Sequence, residues 1–168
     1  GMLLARGKSS INELMRIFMK GAGNLLPIGM ILLFALALGD VAILLGTGPY
    51  VAGIAGAAVP AGFLAPLIFI VSAFIAFSVR SHWGTFSIMI PIAIPIATTL
   101  ELSVPLLLGA AISGAIFGDH ASPISDTTVV ASMASATDHI DHVRTQLPYA
   151  LLAAGISTVG FLILSLVG

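Results

Sequence analysis

Residues 118–128 read GDHASPISDTT, which brings two carboxylates, an imidazole, four hydroxyls and a proline into eleven positions. Asp119, Ser122, Ser125, Asp126, Thr127 and Thr128 are all hard oxygen donors, and nearby backbone carbonyls add to them. Hard cations take such ligands, and the stretch offers no soft sulfur. A carboxylate taken out of water gains affinity for protons unless a cation compensates its charge. One group of this kind can therefore hold either a proton or a metal cation, which is the minimum chemistry of an exchanger. His120 is placed to orient the group or to relay a proton. The plainer reading is structural: Asp119 caps one helix end and Asp126 the start of the next. The two readings are compatible, with one oxygen capping and another ligating.

A second polar stretch, RSHWGT at 80–85, supplies Ser81 and Thr85 as hydroxyl ligands and His82 as a relay or orienting group. Arg80 reads equally as a counter-ion or as a side chain that snorkels to a headgroup, and Trp83 as an interfacial anchor. Asp40, inside the first apolar run, is a further carboxylate for ion binding, because intramembrane acids are costly and usually functional. The DHIDH segment, 138–142, has the composition of a metal cluster, and helical spacing would gather its ends. Its hydrophilicity and Arg144 favour a solvated connection instead.

These residues lie in a chain of 168 residues that is 58% hydrophobic and only 8% charged. Soluble domains carry about 25% charged residues. So little charge cannot cover a water-facing surface, and the chain reads as an integral membrane protein. It has no cysteine, which excludes disulfides, zinc–thiolate sites and iron–sulfur clusters. Arg6, Lys8, Arg16 and Lys20 precede the first apolar run and place that end in the cytoplasm by the positive-inside tendency.

Residues 9–20 are expected to form a short amphipathic helix, with Ser10 and Glu13 as a capping box. Residues 24–46 are long enough to cross about 30 Å of hydrocarbon. Residues 47–62 are too short and read as a re-entrant or tilted half-helix. Further apolar runs follow at 62–79, 86–100, 103–118 and 147–167. Pro91 and Pro95 should kink or break the run that holds them. The polar stretches 80–85 and 119–128 interrupt two runs, and irregular backbone at membrane depth survives only inside protein or beside a water-filled cavity. Discontinuous helices meeting near the midplane are how secondary transporters build ion sites. The two breaks should therefore approach one another.

Residues 117–151, FGDHASPISDTTVVASMASATDHIDHVRTQLPYAL, resemble the signature region of the NhaC-type sodium/proton antiporter family. HWGTFSIMIPIAIPIA at 82–97 is similar to that family's broken helix, and ALGDVAILLGTGPYVA at 37–52 to its Gly-Asp stretch. The resemblance implies a secondary transporter of the ion-transporter superfamily kind, and a chain corresponding to the C-terminal half of a longer carrier.

The expected fold is thus all-α: a polytopic membrane protein with broken or re-entrant helices, resembling one repeat of such a carrier, with residues 1–168 in a single transmembrane domain. The expected function is cation (Na+)/proton antiport across the cell membrane, with Na+ and H+ as transported ions, the lipid bilayer as surroundings, no cofactor and no nucleic acid. Homo-oligomers or pairing with an N-terminal half are the expected assemblies. The alternatives are an organic-acid or amino-acid exchanger of the same family, a membrane-embedded metal-dependent hydrolase built on 138–142, and an accessory subunit without transport of its own.

Overall fold

The structure, a computed structural model, describes residues 10–167. Arg6, Lys8 and Ser9 lie outside them. The described chain is all-α. Helix α1 runs Ile11–Leu44, α2 Thr47–Ala58, α3 Leu64–Val79, α4 His82–Thr99, α5 Val104–Ala121, α6 Asp126–Ala134 and α7 His139–Val167, with a 3-10 turn at Ala61–Phe63 before α3. Among the described residues three stretches, Ala61–Val79, Val104–Ala121 and His139–Val167, are long and apolar enough to cross a membrane by length and composition. The protein is a multi-pass integral membrane protein with discontinuous helices.

Helix α1 begins where Ser10 Oγ accepts the backbone N–H of Glu13. It then continues through 34 residues, so the amphipathic segment and the first span are one helix. Gly21 and Gly23 do not stop it, since a glycine costs a helix only about 1 kcal/mol. Gly46, at φ 66°, turns the chain into α2. At 12 residues, α2 reaches roughly 18 Å, well short of a bilayer. The half-helix expected there is what forms.

The core forms where α5 packs against α3, α4 and α7. Ala110, Gly114 and Gly118 recur every fourth residue on α5 and are all buried. A Cβ at Gly114 or Gly118 would strike the backbone carbonyls of Phe69 and Ala73 on α3. Small residues at this spacing let two helices touch backbone to backbone, which is how helices associate without a hydrophobic driving force. Leu64, Ile68 and Phe69 on α3, Met89 and Ile96 on α4 and Leu107 on α5 fill the space around that seam. Helix α4 is continuous through Pro91 and Pro95, so the expected break is not there. Each proline removes one N–H, which leaves the carbonyls of Ser87 and Pro91 without their helical donors. Gly48 on α2 lies against the Pro95 ring, and Gly39 on α1 against that of Pro91.

Candidate functional site

The first break is short. Helix α3 ends at Arg80, which sits in the left-handed region at φ 64°, and Ser81 is already the cap of α4. Ser81 Oγ accepts the Gly84 N–H at 3.5 Å, and Thr85 Oγ1 donates to the Ser81 carbonyl at 3.1 Å. His82 to Thr85 therefore form the first turn of α4 rather than an interruption. The second break spans 122–125. Ser125 caps α6 by accepting the Thr127 N–H at 3.2 Å. Ser122 Oγ donates to the Phe77 carbonyl at 3.1 Å, stapling the second break to the end of α3.

The two breaks meet at Asp119. Its carboxylate, in the last turn of α5, is 1% exposed. Oδ1 accepts from Ser125 Oγ at 2.7 Å, and Oδ2 accepts from Thr127 Oγ1 at 2.8 Å. His82 Nδ1 completes the set at 2.9 Å from Oδ2. Donors from α4 and from the start of α6 thus converge on one buried acid, and charge-assisted bonds of this kind are roughly twice as strong as neutral ones. These donors stand at the N-termini of α4 and α6, the positive ends of the helix dipoles. Beside it opens a cavity of about 430 Å³ lined by residues that include Arg80, His82, Trp83, Asp119, Asp126 and Thr127. Trp83 and Phe86 pack around the His82 ring, with centroids 5.0 and 5.5 Å away.

Of the other residues singled out in the sequence, Ser81, Asp126 and Thr127 line this cavity. Asp126 is exposed in the first turn of α6. Thr85 and Thr128 are buried, and the Thr128 carbonyl accepts from Ser132 Oγ at 2.8 Å. His120 is exposed and turns away to the Ile116 carbonyl, 2.8 Å from Nδ1. Asp40 is exposed on α1, and none of the bonds to Asp119 involve it.

The DHIDH segment is not a free connection. Asp138 accepts the N–H groups of Ile140 and Asp141 at 2.9 and 3.1 Å, and so starts α7 eight residues before the apolar run begins. His139 and His142 both turn inward onto Ser132, and His139 also reaches the Pro123 carbonyl. Among the described residues no group of three acids or histidines is placed to hold a metal ion. The spacing of the two histidines, three apart, marked a shared helical face; only the fold shows that α6 covers it.

An uncharacterized protein of Haemophilus influenzae is 38% identical over 156 residues, 92% of this chain and 30% of that protein. The malate-2H(+)/Na(+)-lactate antiporter of Bacillus subtilis is 38% identical over 110 residues, 60% of this chain and 24% of its own. The arginine/ornithine antiporter ArcD of Halobacterium salinarum is 36% identical over 107 residues, 64% and 22% respectively. The chain spans less than a third of the length of these curated relatives. No solved structure matches it. The Na+/H+ antiporter family matches residues 1–166, nearly the whole described fold with both breaks and the acid between them, and the chain belongs to that family.

Proposed function

We propose that the chain is the ion-handling part of a secondary transporter, corresponding to a C-terminal portion of its longer relatives, and that Asp119 is where a proton and a cation exchange. The observation that carries this reading is the buried Asp119 carboxylate, held by side chains from both breaks at the wall of a cavity. In the cation-loaded form its oxygens, with the hydroxyls of Ser125 and Thr127, offer a hard-oxygen set for Na+. Both hydroxyls then turn their protons outward and their lone pairs to the ion. In the proton-loaded form the same carboxyl carries hydrogen, and the ion has no charge to bind. The occupants exclude one another. Asp126, exposed at the cavity wall, draws the cation in, and His82 orients the carboxylate and passes protons to it. Membership of the antiporter family supports transport over the hydrolase and accessory readings.

Arg80 favours a second reading. It lines the same cavity, and a guanidinium there can receive the carboxylate of an organic acid or amino acid. Two relatives carry exchangers of such compounds in their names. Proton flux in reconstituted vesicles separates the readings when Na+, K+, Li+ and an organic acid are added in turn. Flux on Na+ alone supports cation/proton antiport. Flux that requires the organic acid supports the second reading, and flux that survives Asp119→Asn under every condition defeats both.

A further inference from the structure

Ser132 is 2% exposed, and three partners compete for its one hydroxyl proton. Its Oγ lies 2.8 Å from the Thr128 carbonyl, 3.0 Å from His139 Nδ1 and 2.7 Å from His142 Nδ1. On its far side His139 Nε2 meets the Pro123 carbonyl. A carbonyl only accepts, so His139 Nε2 carries hydrogen.

The remaining protons can then be counted. With both rings neutral, His139 Nδ1 is a lone pair and must receive the Ser132 hydroxyl. The Ser132 oxygen in turn receives N–H from His142 Nδ1. One directed chain results, from His142 through Ser132 and His139 to Pro123, and every member is satisfied. Now let a proton bind His139 Nδ1. The Ser132 hydroxyl rotates to the Thr128 carbonyl, and its two lone pairs accept the N–H of both rings. Every member is again satisfied, and no heavy atom has moved. A second proton would set two imidazolium rings around one hydroxyl oxygen, which like-charge repulsion opposes.

We propose that Ser132, His139 and His142 form a proton site separate from Asp119, holding one proton between two rings and gripping the 122–125 break through Pro123. The ionisable groups on the surrounding elements are Asp126 at the start of α6, Asp119 and His120 at the end of α5, and Arg80 just past α3. Asp138, Asp141 and Arg144 lie on α7 itself. Neither ring is ion-paired among the described residues. Ser125, whose hydroxyl binds Asp119, follows Pro123 by two residues, so the charge on His139 strengthens the hold on the loop that positions Ser125. That last consequence rests on the Asp119 reading; the site itself does not.

Nitrogen NMR of 15N-histidine in the chain, reconstituted in lipid vesicles, tests the site with H+ as its only ligand. The four histidines are assigned by single His→Gln variants. While both rings are neutral, His139 is expected with hydrogen on Nε2 and His142 with hydrogen on Nδ1. Lowering the pH stepwise should add one proton to the pair. Ser132→Ala removes the oxygen that accepts from both rings, so the pair should take up its proton only at a lower pH than the wild type does. A 13C-labelled Pro123 carbonyl should shift along with the wild-type proton uptake. His139 with hydrogen on Nδ1 alone, two protons bound by the wild type, or an unchanged uptake curve in Ser132→Ala overturns the site. A Pro123 signal that stays fixed overturns its grip on the loop. Should Ser132→Ala not insert, the tautomers of the unsubstituted chain decide. No transported ion enters the measurement, so its failure is distinct from a failure of the Asp119 reading.

Discussion

The Nδ1 atom of His82 stands 2.9 Å from Oδ2 of Asp119, 37 residues away in the chain, and joins the two helix breaks. Trp83, the one tryptophan of the sequence, stacks at a tilt beside the same imidazole and lines the same cavity. Its emission therefore reports on the site. Na+ added to the reconstituted chain should change that emission, and in His82→Gln, which takes the ring partner from Asp119, the change should be weaker at a given Na+ concentration. An unaltered Na+ response in that variant would remove His82 from the site.

Asp119→Asn keeps the size of the side chain but replaces one accepting oxygen with a donor and removes the charge. Hydrogen bonds to a charged group are worth about 1.5–3 kcal/mol, so apparent Na+ affinity, followed by Trp83 emission, should fall roughly tenfold to a hundredfold. Asp126 is exposed, where a single charge contributes at most about 1 kcal/mol. Asp126→Asn should cost no more than about fivefold. A reversed order would move the centre of the site to α6.

Ser125 Oγ meets the Asp119 carboxylate, the Thr127 hydroxyl and the N-terminus of α6. Ser125→Ala loses all three, and the cap alone is worth about 0.5–2 kcal/mol. The nine-residue α6 should exchange its amide hydrogens faster in this variant, while α3 and α5 keep their protection. Uniform loosening of all three would show that α6 is not a separate unit.

Arg80 occupies a left-handed backbone conformation, which costs an L-residue about 1–2 kcal/mol and glycine almost nothing. Arg80→Gly should raise resistance to thermal unfolding in detergent. If the cavity takes organic anions, the same variant should lose their exchange and keep any Na+-driven proton flux. Retained organic-anion exchange removes Arg80 from substrate binding.

Gly118→Ala sets a methyl group against the Ala73 carbonyl on α3, whereas at Gly109 a Cβ would meet nothing within 4 Å. The first substitution should destabilise the chain by about 1–3 kcal/mol. Gly109→Ala should be neutral or stabilise by up to about 1 kcal/mol. Equilibrium unfolding in mixed detergent measures both.

The helix breaks were legible because polar residues inside apolar runs have few physical options in lipid. Their extent was not. Ser81 begins a helix at once, so RSHWGT, which reads as a six-residue gap, holds only two residues outside helix. The same blindness affected 138–142: hydrophilicity suggested a loop, but Asp138 caps a helix whose polar first turns face α6. Between the two acids, the hydroxyls of 118–128 do not choose, since they lie near both. Burial singles out Asp119, because His82 and the α3 backbone against which the α5 glycines pack come from elsewhere in the chain. No run of neighbouring residues encodes that enclosure.

Pro91 and Pro95 give α4 a soft joint partway along an otherwise stiff rod. Two missing rungs one turn apart lower the resistance to bending there, and the joint is seated in Gly39 and Gly48 of two other helices. Beyond it, Leu100 lies against Gly56 and fastens the far end to α2. The near end, from His82 to Ser87, is fastened instead to Asp119. A tilt imposed at His82 therefore meets its least resistance at the prolines, short of Thr99. The rod has two ends with separate moorings.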